Sequence, residues 1–135
     1  MAHYALLNEN NIVVNVITGR NEDEIVDGIS DWETHYGQIH GMACKRTSYN
    51  TSANQHKLGG TPFRYNYAQI DGFYDPVKDG FIPFVIYKGW VLDPETLIWV
   101  PPTPMPSEEG LAEGETWYWY DPDDEWRVMP PMIQE

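Results

Sequence analysis

Three short segments in the C-terminal half of the chain repeat one pattern, and this repeat constrains the fold more than any other feature. Residues 73–83, 91–101 and 119–130 each contain apolar residues, an Asp-Pro pair, an aromatic residue a few positions later and then a proline. Proline suits the second position of a turn, and aromatic residues can pack across paired strands. Each copy is therefore predicted to form a small β-hairpin. Because single hairpins of this size are marginally stable in water, they must dock on one another, on the rest of the chain or on another subunit.

The composition is that of one small folded domain. Of the 135 residues, 41% are hydrophobic and 14% are aromatic, which is enough core-forming material to offset the chain entropy of folding. Eleven glycines and eleven prolines are spread along the chain without a strict period. This distribution favours many short elements joined by turns over long helices.

The N-terminal part predicts a hairpin followed by one short helix. Residues 4–7 and 12–17 are rich in strand-forming side chains and flank a turn of asparagines, a residue that tolerates left-handed backbone. Asn21 can then cap a helix in which Ile25, Ile29 and Trp32 share one face, and this helix is expected to end near Gly37.

Two later segments predict less regular structure. Residues 41–67 are polar and rich in turn-forming residues, so we expect an irregular segment that serves as a functional loop or is ordered by a partner. Residues 101–110 hold four prolines and favour an extended spacer. The expected fold class is mostly β, or β-rich α+β. We expect a compact domain over 1–100 and a Pro-rich spacer with an acidic aromatic hairpin arm over 101–135. The third hairpin can contact a neighbouring subunit or fold back on its own domain.

Charge is distributed unevenly along the chain. The formal net charge of −13 disfavours direct binding to nucleic acid or to an anionic membrane. From residue 34 to residue 70 there is no acidic residue, whereas four of the eight cations lie there; from 101 to 135 nine acids accompany only Arg127. The two segments are electrostatically complementary, which suits head-to-tail contacts between subunits, although a solvated acidic tail explains the same pattern.

The residue patterns predict no cofactor, no metal and no enzyme. His35, His40, Cys44 and His56 lack the paired spacing of a zinc site, and surface histidines with a buried thiol are the simpler interpretation. Asp121, Asp123, Asp124 and Glu125 fail the calcium-loop pattern because Trp126 stands where glycine is required. The glycines at 59 and 60 do not match a phosphate loop, and no nucleophile motif is found.

Aromatic and basic residues supply the candidate contact surfaces. Alternation along a strand places Trp117 and Trp119 on one face and Tyr118 and Tyr120 on the other, so both faces need a partner. Core or interface packing is the commoner use of such rings, and stacking on sugars is the alternative. The predicted interface residues are Lys45, Arg46, Tyr49, Phe63, Arg64, Trp90, Trp99, Trp117, Trp119 and Trp126.

Three segments carry a resemblance to known proteins. Residues 5–17 look like the start of many small tailed-phage proteins, and residues 44–51 with 59–68 resemble a group of uncharacterised proteins from marine phages, particularly those of cyanobacteria. Residues 90–99 with the prolines that follow resemble the tryptophan-containing hairpins of that group. The resemblance implies a phage origin and assigns no catalytic residue.

Together these observations predict a non-enzymatic virion protein, made in the host cytoplasm, that decorates the capsid or forms part of the neck or tail. Its expected partners are other virion proteins and further copies of itself. Neither a signal peptide nor a membrane-spanning segment is expected. Two alternatives remain open: a module of a phage fibre or capsid that binds host glycans, and an intracellular acidic inhibitor that mimics DNA.

Overall fold

The computed structural model describes residues 1–132 as eleven short strands and one α-helix, which confirms a β-rich α+β fold. The strands are β1 Ala2–Leu7, β2 Val13–Gly19, β3 Ala43–Thr47, β4 Thr51–Ser52, β5 Gln55–His56, β6 Phe73–Asp75, β7 Gly80–Ile82, β8 Val91–Leu92, β9 Trp99–Val100, β10 Thr116–Tyr120 and β11 Glu125–Met129. The helix, α1, spans Trp32–His40, and 3-10 turns lie at Glu108–Gly110 and Asp121–Asp123.

The main sheet has three antiparallel strands in the order β2-β1-β3, so β1 is central. Its side chains alternate between two core clusters. On one face Ala2, Tyr4 and Leu6 pack with Trp32 of α1 and with Cys44. On the other face Ala5 and Leu7 pack with residues from β2 and from later parts of the chain, namely Val13, Ala68, Tyr74 and Phe81. A strand buried on both faces is largely apolar, which explains the composition of β1, whose one exception is the partly buried His3.

The predicted N-terminal hairpin is confirmed. Its turn is fixed by Asn8, whose side-chain oxygen accepts hydrogen bonds from the backbone N–H groups of Asn10 and Ile12. Asn11 adopts the left-handed conformation with φ of 60°. The register of the two strands shifts between Leu6 and Leu7, which pair with Asn15 and Val13, so Val14 forms a bulge.

The prediction of a helix from Asn21 to Gly37 is wrong in its position. Residues 21–31 form turns instead, and Asp27 and Gly28 both have positive φ (52° and 79°) between the bridged residues Val26 and Ile29. Two central residues with positive φ are typical of the tight turn that Asp-Gly favours, and this geometry interrupts a helix. Ile25, expected on the buried face, is exposed.

The helix begins ten residues later than predicted, with Asp31 and not Asn21 as its N-cap, and has clear caps. Asp31 is the N-cap, and its carboxylate accepts hydrogen bonds from the backbone N–H and the hydroxyl of Thr34 at 3.2 and 2.7 Å. Gly41 ends the helix in the left-handed conformation, and the N–H of Met42 bonds to the carbonyl of Gly37. Helix α1 therefore covers one face of the sheet with Trp32 at its start.

The prediction of an irregular segment over 41–67 is wrong for its first part. Strand β3 supplies the third strand of the main sheet, and β4 and β5 form a small hairpin. Two buried threonines hold the rest of the segment. The hydroxyl of Thr47 accepts from the N–H of Ala68, and that of Thr51 accepts from the N–H of Phe63. This part of the chain is thus ordered by side-chain hydrogen bonds instead of strand pairing. For that reason it shows no periodic apolar pattern in the sequence.

The three repeated segments form three antiparallel hairpins, as predicted. The first pairs β6 with β7, the second pairs β8 with β9, and the third pairs β10 with β11 over five residues each. In the first two turns the aspartate before proline accepts a backbone N–H two residues later, Asp75 from Val77 and Asp93 from Glu95, both at 2.9 Å. The repeat therefore encodes a turn chemistry as well as a pattern of apolar residues.

Candidate functional site

The ten predicted interface residues fall into two groups in the structure. The first group lies around the outer edge of β3 and contains Lys45, Arg46, Tyr49, Phe63 and Arg64. The second group is carried by the second and third hairpins and by the segment before them, and contains Trp90, Trp99, Trp117, Trp119 and Trp126. We refer to them as the basic cluster and the tryptophan cluster.

The basic cluster is built on the ring of Phe63. The guanidinium carbon of Arg46 lies 3.9 Å from the ring centroid, and that of Arg64 lies 4.9 Å from it. Arg46 comes from β3, whereas Phe63 and Arg64 come from the loop that follows β5. Planar guanidinium groups stack well on aromatic faces, so this arrangement ties the loop to the edge of the sheet.

Glu33 and Arg64 together close the outer edge of β3. The carboxylate of Glu33 accepts the backbone N–H of Arg46 at 2.6 Å, and the guanidinium of Arg64 donates to the backbone carbonyl of Arg46 at 2.8 Å. Arg64 also donates to the same Glu33 oxygen at 2.6 Å. The ion pair thus satisfies the two backbone groups that Arg46 would offer to an added strand, and so hinders strand addition at this point of the edge.

Acidic residues of the same chain meet both arginines of the basic cluster. Arg64 lies 2.9 Å from a carboxylate oxygen of Asp79, and Arg46 lies 3.6 Å from one of Glu22. The two lysines of the acid-free segment lie over tyrosine rings instead, Lys45 at 5.7 Å from Tyr74 and Lys57 at 5.8 Å from Tyr49. A contact between this segment and an acidic tail would therefore rely on the lysines more than on the arginines.

Four aromatic rings form a continuous row in the tryptophan cluster. The ring centroids of Tyr87 and Trp90 are 4.9 Å apart, those of Trp90 and Trp119 are 5.9 Å apart, and those of Trp119 and Trp126 are 5.4 Å apart. Trp119 lies in the middle and is only 7% exposed. This row joins the third hairpin to the turn before β8. Trp119 is therefore a packing residue, and neighbouring rings cover the surface on which a sugar would stack.

Close backbone contact supports the same junction. A side chain at Gly89 would collide with the carboxylate of Asp124 in the turn of the third hairpin. The indole nitrogens of Trp90 and Trp119 are buried, and neither has a hydrogen-bond partner among residues 1–132. Buried N–H groups usually find a partner, so this junction carries two unused donors. Whether residues 101–135 act as an arm toward a neighbour stays a prediction.

The other three members of the tryptophan cluster donate their indole N–H groups to carbonyls of the same chain. Trp99 donates to the carbonyl of Pro83 at 2.7 Å. Trp126 donates to the carbonyl of Thr103 at 2.8 Å, and Trp117 donates to that of Ser107 at 3.3 Å. The last two contacts place the Pro-rich segment, residues 101–107, along the third hairpin.

Asn66 is a key residue that the sequence patterns do not reveal. Its side-chain NH₂ donates to the carbonyls of Phe81, Thr96 and Leu97 at 2.9, 3.0 and 3.1 Å, and its oxygen accepts the N–H of Ala53 at 2.8 Å. It is almost fully buried. One amide therefore joins the loop after β4, strand β7 and the turn of the second hairpin. A single asparagine in a turn-rich segment gives no periodic signal for such a role.

Three of the residues considered for metal binding, His56, Asp123 and Glu125, have other partners. His56 accepts the backbone N–H groups of Leu58 and Gly60 at 3.1 Å, and Arg127 pairs with Asp123 and Glu125. Within the part of the chain that is described, no group of three or more His, Cys, Asp or Glu side chains is arranged to hold a metal ion. Burial raises the pKa of the Cys44 thiol to about 12, so at neutral pH it is protonated.

Comparison with known proteins gives no direct guide to function. No protein-family model, curated protein or solved structure matches the chain. Among residues 1–132, no helix has the length and apolar character needed to cross a bilayer. The functional inference therefore depends on the surfaces of the molecule itself.

One of those surfaces is apolar and was not among the predicted interface residues. Phe84 and Ile86 follow β7 in a segment that pairs with no strand of the described chain, and they are 60% and 79% exposed. The available signal was the continuous apolar run over residues 81–87, which lies between two of the repeated segments.

Proposed function

We propose that the chain is a non-enzymatic structural or accessory protein of a tailed-phage virion, acting through contacts with other subunits as a capsid-decoration, neck or tail component. The resemblance of residues 44–68 and 90–99 to proteins of marine phages supports the phage origin. The protein would be made in the host cytoplasm and function in the particle.

The observation that carries this proposal is the exposed pair Phe84 and Ile86. Isolated apolar side chains on a surface are ordinary, but two large exposed ones two positions apart, in a segment outside any strand, are typical of a contact surface. The hairpins that flank this segment, β6-β7 and β8-β9, have only two or three residues in each strand. Such short hairpins gain stability when a partner covers them.

The chemistry of the reactive side chains also supports a structural role. Cys44 is buried and protonated, Arg64 closes the sheet edge, and Glu33 is shared between Arg46 and Arg64. Each of these groups is engaged in holding the fold together. Contacts with other proteins then remain the function that the exposed surfaces serve best.

The proposal is tested by incorporation into particles of the phage that encodes the chain. Peptide mass spectrometry on density-purified particles is expected to detect the protein in many copies relative to the major capsid protein. Abundance in infected cells together with a complete lack from particles would overturn the virion role and favour the intracellular inhibitor.

A pair of surface variants tests which contact is used. We expect Phe84→Ser with Ile86→Ser to reduce incorporation at least tenfold without changing the far-UV circular dichroism, because the loss of two buried apolar side chains at an interface weakens binding by about 3 kcal/mol or more. Val77→Ser is the matched control, since Val77 is 92% exposed at the tip of the first hairpin. Unchanged incorporation of the double variant would exclude this surface. Replacing Trp117 and Trp119 is a less specific test because Trp119 is buried.

A further inference from the structure

The Pro-rich segment 101–107 occupies one face of the third hairpin. In the register of β10 and β11, Trp117 lies opposite Val128 and Trp119 lies opposite Trp126. Opposite residues in an antiparallel pair share a face, so these four side chains line one surface. Two of them, Trp126 and Trp117, donate to the carbonyls of Thr103 and Ser107.

The chemistry of this contact is that of polyproline recognition. Prolines at 101, 102, 104 and 106 carry no N–H group, so the segment cannot join a sheet as a paired strand. It offers carbonyl oxygens as acceptors, and the hairpin offers indole N–H donors beside apolar rings. Grooves that bind proline-rich peptides use aromatic side chains in the same way.

The contact is shallow enough to be released. Apart from Pro101, every residue of 101–107 is exposed, including Met105 at the middle of the segment. The bond from Trp117 to Ser107 is long, at 3.3 Å. Such a contact stabilises the bound segment only modestly, since a hydrogen bond contributes on the order of 1 kcal/mol net.

We propose that this face is an exchange site, in which the hairpin of one copy binds the Pro-rich segment of a second copy. The inference rests on the proposed function, because an assembling protein places copies close together. The same contacts form within one chain or between two chains. The balance between the closed single chain and the exchanged pair is therefore set by the connector and by the local concentration of copies. In a symmetric array the local concentration is high, which favours exchange.

The connector between segment and hairpin, residues 108–115, suits exchange. It contains glutamates at 108, 109, 113 and 115, and like charges in a linker repel one another and favour extension. Fully extended, eight residues span about 26–29 Å. Gly114 has φ of 82°, a conformation that glycine adopts and leaves without strain.

Single-cysteine cross-linking of the purified full-length chain tests the exchange. In a Cys44→Ala background, one chain carries Met105→Cys with an affinity tag and a second chain carries Val128→Cys. Met105 lies between the two residues that the indoles bind, and Val128 lies on the same face as both indoles. With a short bismaleimide, mixing the two chains is expected to give a heterodimer whose yield rises with protein concentration.

Two controls make every outcome decisive. A chain that carries both cysteines should cross-link internally; if it does not, the segment does not occupy the groove and the proposal fails. If it does, but the mixed chains give no heterodimer up to millimolar concentration, exchange is excluded. Trp117→Phe with Trp126→Phe, placed only in the chain that carries Val128→Cys, removes the indole donors from that hairpin while the other chain's segment keeps its own intact hairpin as a competitor, and should lower the heterodimer yield about tenfold. An unchanged yield would show non-specific association and overturn the proposal.

The result is independent of the particle experiment. Heterodimer formation together with a lack of the protein from particles would leave the exchange site standing and reject the virion role. Detection in particles without any heterodimer would do the reverse.

Discussion

The two parts of the molecule on either side of residue 83 are stabilised in different ways. Residues 2–82 enclose two core clusters on the two faces of β1. Of the described residues 83–132, only Leu97 and Trp119 are buried. The first part carries its own apolar core, whereas the second is held by individual ring contacts and hydrogen bonds. We infer that the first part determines the fold and the second part depends on its neighbours.

Charge follows the same division. Residues 1–82 hold ten acids and six cations, whereas residues 83–135 hold eleven acids and two cations. Two cations of the first part are paired with nearby acids, Arg46 with Glu22 and Arg64 with Glu33 and Asp79. The second part repels itself, and close packing of its hairpins with an acidic surface would be unfavourable. A partner of opposite charge, or an uncharged contact such as Phe84 and Ile86, avoids this repulsion.

The largest expected effect is a difference in the free energy of unfolding between variants of Phe81 and Phe84, which lie three positions apart. Phe81 is 1% exposed in the core of the first part, and Phe84 is exposed. We expect Phe81→Ala to lower the free energy of unfolding by about 3–5 kcal/mol, because it leaves a cavity in a packed core. Phe84→Ala should change it by less than about 0.5 kcal/mol. Urea denaturation followed by circular dichroism measures both, and equal effects would contradict the division.

A smaller effect is expected at the joint between the two parts. Asn66→Leu removes three hydrogen bonds to backbone carbonyls, two of them in the second hairpin at Thr96 and Leu97. We expect a loss of about 2–3 kcal/mol, since buried carbonyls are left without a donor. Hydrogen exchange should increase over residues 91–100 and stay low in β1.

The control for that variant is Asn54→Gly. Asn54 also donates to the turn of the second hairpin, at Glu95, but the bond is long at 3.3 Å and exposed. Glycine accepts its φ of 57° without strain. An Asn54→Gly effect as large as that of Asn66→Leu would show that the turn, and not the buried amide, is what joins the two parts.

The sequence predicted the hairpins because their signals are local. An Asp-Pro pair with flanking apolar residues determines a turn and its two strands within about ten residues. The helix was misplaced because the apolar spacing at Ile25, Ile29 and Trp32 also suits a tight turn, and the Asp27-Gly28 pair was given less weight. Strand β3 was missed because its pairing with β1 joins residues about forty positions apart, which no local pattern encodes.

The ten predicted interface residues stay a prediction as a contact surface, and their roles within the chain were only partly predicted. A composition cannot show which indole donates to its own chain, as Trp126 does to Thr103. Nor can it show that Arg64 closes a sheet edge with Glu33, since the two residues lie in separate elements. Exposed apolar residues such as Ile86 become recognisable only once burial is known.

The smallest expected effect comes from alkaline pH and falls on the first part. Burial raises the pKa values of Tyr4 and Tyr74 from 10.0 to about 12, with Asp79 contributing at Tyr74, and burial raises that of Cys44 from 9.0 to about 12. The folded state therefore holds these protons more tightly than the unfolded state. This contribution to stability is fully present below about pH 9 and is lost as pH rises toward 12.

All three groups belong to the core clusters of the first part, so the main sheet should weaken while the third hairpin is unaffected. Between pH 7.5 and pH 9.5 the thiol responds first, and we expect Tm to fall by roughly 2–5 °C. Cys44→Ala should abolish most of that early fall, whereas the decline above pH 10 persists because the two tyrosines remain. A Tm that is constant to pH 10.5 would mean that the clusters open too readily to protect these groups, and the contrast between the two parts would then be weaker than burial indicates.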